Sequence, residues 1–126
     1  MAVRTYAQIL GVVLILTGIL GLVLGERLLL GILNIDILED IVHLATGGLL
    51  AYVGFARVDD GFAGTVVGVL GVIYLVVGIV GFIVPGMFGL LPDSYTVFDN
   101  LLHLALGVLS IAVAWYLQPG PRAARG

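Results

Sequence analysis

The chain contains no cysteine. Disulfides, zinc–thiolate sites, iron–sulfur clusters and thiol chemistry are thereby excluded. Lysine is absent too: all five basic residues are arginine, set against eight acidic ones for a net charge of −3. No basic cluster is long enough to hold nucleic acid or anionic lipid head groups. Charge of either sign is scarce, at 10% of residues where about 25% is usual in soluble domains. There is no glycine-rich phosphate loop after a strand, no G-x-S-x-G and no H-E-x-x-H. None of the few serines and threonines stands beside a histidine in a nucleophile arrangement. These absences speak against an enzyme and leave no resident cofactor to expect.

Apolar side chains fill the space: 61% of 126 residues, with nineteen glycines besides. A soluble domain of this size has too much surface for its volume to hide them, so the surrounding solvent is lipid. Tyr6–Leu24, Phe62–Val84 and Asn100–Leu117 are free of charge, and a fourth such run, Ile41–Ala56, is extended by Ile37 and Leu38. Nineteen residues at 1.5 Å each span about 28 Å, close to a hydrocarbon core of about 30 Å. Helices are expected near 6–24, 37–56, 62–84 and 97–117, followed by a flexible tail, 118–126. The first run has Arg4 before it, but no small-residue cleavage site follows, so it reads as a retained span.

Arginine placement gives an orientation. Arg4, Arg57, Arg122 and Arg125 fall on one side of a four-span chain, and Arg27 alone on the other, among Glu26, Asp36, Glu39, Asp40, Asp93 and Asp99. Both termini are therefore expected in the cytoplasm. Tyr6, Phe55, Trp115 and Tyr116 would mark the inner interface, and Phe82, Phe88 and Tyr95 the outer one.

Shifted by sixty residues, the sequence matches itself. Gly11, Gly18 and Gly21 fall on Gly71, Gly78 and Gly81; His43-Leu44-Ala45 falls on His103-Leu104-Ala105, and Gly47 on Gly107. The expected fold is all-α: a four-helix transmembrane bundle built from two parallel two-helix repeats, about 5–56 and 62–117, in one domain. Equivalent positions lie at equal depth, so His43 and His103 should be level. The glycines, including the G-x-x-x-G pairs Gly21/Gly25 and Gly64/Gly68, permit close helix approach. Their alternative use is an outward face joining a second copy or another membrane protein.

The second and fourth helices open with Asp36-Ile-Leu-Glu39 and Thr96-Val-Phe-Asp99, each read as a capping box. Each histidine follows seven residues after its cap, about 10 Å down the axis. Glu39 and Asp99 precede the histidines by four residues and Asp40 and Asn100 by three, within reach of the rings. Ionisable groups inside a span are costly and point to function. The simplest reading is structural, each neutral ring bonding its carboxylate, Asn100, Thr17 or Tyr74. The alternatives are a shared metal or haem site and a proton or small-solute passage. The apolar connections 28–34 and 87–92 lie on the outer interface or fold over the bundle mouth; a lid is their functional version.

Taken together, Gly31-Ile32-Leu33-Asn34…Asp40-Ile41-Val42-His43…Gly47 and Gly89-Leu90-Leu91-Pro92…Asn100-Leu101-Leu102-His103…Gly107 resemble the paired motifs of the prokaryotic membrane proteins grouped as domain-of-unknown-function family 4383. The resemblance covers about residues 5–117 and implies a prokaryotic membrane location, but no activity. The function expected from the residues is that of a small, non-catalytic integral membrane protein with a structural or accessory role, with the lipid bilayer as its partner.

Overall fold

A computed structural model describes residues 2–25, 27–84, 86 and 96–116, with Arg27 and Leu28 described by their main chain. Four helices dominate: α1 (Ala2–Leu24), α2 (Ile37–Phe55), α3 (Asp60–Ile83) and α4 (Val97–Trp115). All four are long and apolar enough to cross a membrane. α2 has the lowest mean hydropathy, 1.3, because Glu39, Asp40 and His43 fall in its first two turns. Glu26, Phe88, Asp93 and Tyr95, the connection 87–92 and the tail 118–126 lie outside the described residues.

The helices pair as two tight antiparallel hairpins, α1 with α2 and α3 with α4, that meet more lightly across the bundle. The buried face of α1 is Val3, Ala7, Leu10, Leu14, Gly18 and Gly21, spaced three and four apart. Ile9, Leu16, Leu20 and Val23 point outward, between 51% and 77% exposed, as a lipid-facing surface requires.

Glycine sets the closeness within each pair. A Cβ on Gly11 would lie 2.5 Å from Ala51 N, and one on Gly107 2.5 Å from Leu75 N. Gly18 meets Leu44, and Gly78 meets Leu104. Gly21 packs on the Asp40 carboxylate and Gly81 on the Asn100 amide. Each contact in one hairpin thus has a counterpart sixty residues away in the other. Gly68 faces Trp115 and Ala114 of α4. Gly25 corrects the sequence reading: a Cβ there would meet no described residue within 4 Å, and Gly25 sits at φ +74° and donates its N–H to Gly21 O at 2.9 Å. It ends α1 in a left-handed turn and takes no part in helix packing.

α1 starts four residues earlier than its charge-free run. Arg4 explains this. Its guanidinium donates to Ala56 O at 2.5 Å and Gly54 O at 3.4 Å, and Gln8 donates to Gly54 O at 2.8 Å. Those carbonyls end α2 and would otherwise lack donors.

The first outer connection is a β-hairpin, β1 (Arg27–Leu29) with β2 (Leu33–Ile35), antiparallel with Leu28 opposite Asn34. Leu30 and Gly31 both have positive φ, 53° and 75°, and Ile32 N–H returns to Leu29 O at 3.1 Å. These are the signs of φ that a type I′ turn needs. The hairpin folds over the mouth of the bundle.

Candidate functional site

A two-stranded hairpin alone is barely stable; polar bonds to the helix N-termini hold this one. Asn34, 6% exposed, donates its N–H to both Asp99 carboxylate oxygens at 3.2 Å. Its side-chain amide donates to Asp36 Oδ2 at 2.5 Å and Glu39 Oε2 at 3.2 Å. Thr96 donates its hydroxyl to Ile32 O at 2.5 Å. The strand β2 is thereby tied to the starts of both α2 and α4.

The caps form much as their spacing implies. Asp36 accepts Glu39 N–H at 3.0 Å. Thr96 and Asp99 make the reciprocal capping box, with Thr96 N–H to Asp99 Oδ2 at 2.8 Å and Asp99 N–H to Thr96 Oγ1 at 3.3 Å. At α2 the box is half made, because Asn34 takes the Glu39 carboxylate that would have turned back to its own cap.

Below this layer the structure brings together Glu39 and His43 of α2 with His103 of α4. One ligand atom from each lies within 4.8 Å of the others. His103 Nδ1 lies 2.7 Å from Asp99 O. A carbonyl only accepts, so Nδ1 carries the proton and Nε2 carries the lone pair. The Tyr74 ring stacks on His103, with centroids 5.4 Å apart and an interplanar angle of 22°. His43 Nδ1 is buried and makes no hydrogen bond among the described residues.

His43 bonds no carboxylate among the described residues. Glu39 and Asp99 are engaged by Asn34 and Thr96, while His103 takes a main-chain carbonyl. Tyr74 hydroxyl pairs with Thr46 at 2.8 Å, and Thr17 donates to Val13 O of its own helix. Asp40 and Asn100 do not bond the rings either; they turn toward Gly21 and Gly81. Asn100 Oδ1, buried with no conventional donor, lies where the Gly81 Cβ would be and so against its Cα–H.

No protein-family model, curated protein or solved structure matches the chain. Its chemistry therefore has to be read from this geometry.

A cavity of about 300 Å³ adjoins the cluster. Asn34, Glu39, Asp40, His43, Asp99 and His103 line its outer end. Leu10, Val13, Leu14 and Leu20 of α1 and Leu102 and Leu106 of α4 form its walls. Val13 is 50% and Leu102 41% exposed, so the cavity opens sideways between α1 and α4, toward lipid. Two hydroxyl pairs continue the polar interior: Thr46 with Tyr74, and, near the Arg4 end, Tyr6 with Ser110 at 2.7 Å. The sequence reading did not pair these hydroxyls with each other. It missed Asn34 as a site residue, although a lone asparagine in the apolar run 28–35 was the available signal.

Proposed function

We propose that this multi-pass membrane protein holds a divalent transition-metal ion between Glu39, His43 and His103. The observation that carries the reading is the approach of three ligand atoms to within 4.8 Å from two helices of different hairpins. Ligands at about 2.1 Å from a common ion stand at most about 4.2 Å apart. Closing the set takes side-chain rotation without helix movement. Two imidazoles and a carboxylate suit zinc, iron, copper or nickel.

The surroundings support it. Ligating histidines commonly donate their second nitrogen to a carbonyl, as His103 does to Asp99 O, and ligating carboxylates are themselves hydrogen-bonded, as Glu39 is by Asn34. Bound there, the ion joins α2 to α4 and so fastens the two hairpins, a structural or accessory role without catalysis. Membership of domain-of-unknown-function family 4383, the origin of the hairpins as a duplicated unit and a cytoplasmic face at the Arg4 end belong to the same proposal. The recurrence of the glycine contacts at an offset of sixty supports the duplication. Arg4 bonded to Ala56 O, next to Arg57, supports the orientation.

Cobalt titration of the protein in detergent tests the site. One equivalent should produce a visible d–d spectrum that His43→Ala and His103→Ala each abolish while helical circular dichroism persists. Folded parent protein that takes up no stoichiometric cobalt or zinc would refute the site, and the same spectra report a haem by its Soret band.

A further inference from the structure

Asp40 is 4% exposed, lines the cavity and accepts no hydrogen bond among the described residues. It is distinct from the three proposed metal ligands. A buried carboxylate without a partner is expensive unless a cation or donor reaches it. No lysine or arginine is among the described residues lining the cavity, whose outer end carries Asp40, Glu39 and Asp99 together. Among the described residues, half-exposed Val13 and Leu102 offer a lateral approach between α1 and α4. A group arriving there comes from lipid, and the walls it passes are leucine and valine with Thr17, whose hydroxyl donates to Val13 O. Leucine walls give an apolar chain little advantage over its lipid surroundings, so selection falls on the head group. With no metal on Glu39, His43 and His103, the carboxylates repel an anionic head and a neutral one leaves Asp40 without a counter-charge, so the cation is proposed for the metal-free protein.

We propose that the cavity binds a lipophilic cation, its ammonium head on the Asp40 carboxylate and its apolar body between α1 and α4. The volume of about 300 Å³ is at the lower end of ligand pockets, which suits a single short chain.

Three eight-carbon amphiphiles that differ only in the head test this: octylammonium, octanol and octanoate. Each is titrated calorimetrically into the protein in phosphatidylcholine nanodiscs, with empty discs as the blank. Octylammonium should bind once per chain, and octanol and octanoate should give no heat above the blank. Asp40→Asn should weaken octylammonium at least tenfold. Val13→Trp, a change on the half-exposed mouth, should block entry while the fold is kept, and decides the matter should Asp40→Asn fail to fold. His43→Ala should lose the metal and keep octylammonium, so the two proposals fail separately. Equal binding of all three amphiphiles, no octylammonium binding at saturation, or unchanged binding in a folded Asp40→Asn or Val13→Trp variant would overturn the proposal.

Discussion

At the scale of single residues, space decides more than polarity. In lipid, helices attract one another through dispersion, which falls off steeply with separation, so a missing Cβ is worth most where backbones touch. Gly107 is such a place: an added Cβ would stand 2.5 Å from Leu75 N and 2.7 Å from Leu75 Cα, atoms that cannot move aside. Gly48, one residue past the equally crowded Gly47, has nothing within 4 Å. Gly107→Ala should therefore destabilise the protein by about 1–3 kcal/mol, the usual cost of overpacking. Gly48→Ala should stabilise it by about 0.5–1 kcal/mol, because glycine is the poorer helix former. Thermal unfolding in detergent, followed by circular dichroism, should move the two midpoints in opposite directions; equal shifts would contradict the packing described. Much of this was legible in the residues. The offset of sixty already paired Gly47 with Gly107 and His43 with His103. The partner of His103 was not legible, because an i, i+4 spacing serves a main-chain carbonyl as well as a carboxylate. The competitor for Asp99 comes from Asn34, sixty-five residues away.

At the scale of elements, the four helices were plain from charge-free length, and the β-hairpin was not. Its strands lie in a mostly apolar run, broken by Arg27 and Asn34, without alternation, and its turn is Leu30-Gly31 where Asn-Gly would have announced it. The fold supplies what the local sequence lacks. Asn34 binds both helix N-termini, and Leu30, 85% exposed, is forced to φ 53°, a region β-carbon residues rarely enter. Opposite changes follow from these two residues. Asn34→Ala removes both side-chain bonds and should speed amide exchange across 27–35 by roughly tenfold, as about 1.4 kcal/mol would, leaving α1 and α3 protected. Leu30→Asn, better suited to left-handed backbone, should slow exchange in the same segment. Exchange followed by mass spectrometry reads both, and an unresponsive hairpin would mean that the polar bonds do not hold it.

At the scale of the whole molecule, polar bonds fasten the two hairpins at three heights: Asn34 to Asp99 at the mouth, Thr46 to Tyr74 midway and Tyr6 to Ser110 near the Arg4 end. Bonds of this kind between transmembrane helices are worth about 0.6 kcal/mol each, so they set register and orientation more than strength. Because the ends differ, the bundle has a polarity that the membrane can read. The Arg4 end gathers Arg4, Arg57 and exposed Trp115 and Tyr116, while the hairpin end gathers Asp36, Glu39, Asp40 and Asp99. The excess of arginine supports the proposed cytoplasmic face at the former. With no cysteine of its own, the chain accepts single reporters. Leu30→Cys at the hairpin tip and Asp60→Cys at the start of α3 lie at opposite ends of the bundle. In intact cells a membrane-impermeant maleimide should label Leu30→Cys and reach Asp60→Cys after permeabilisation alone. The reverse pattern would invert the molecule and place the proposed metal and cation sites on the cytoplasmic side.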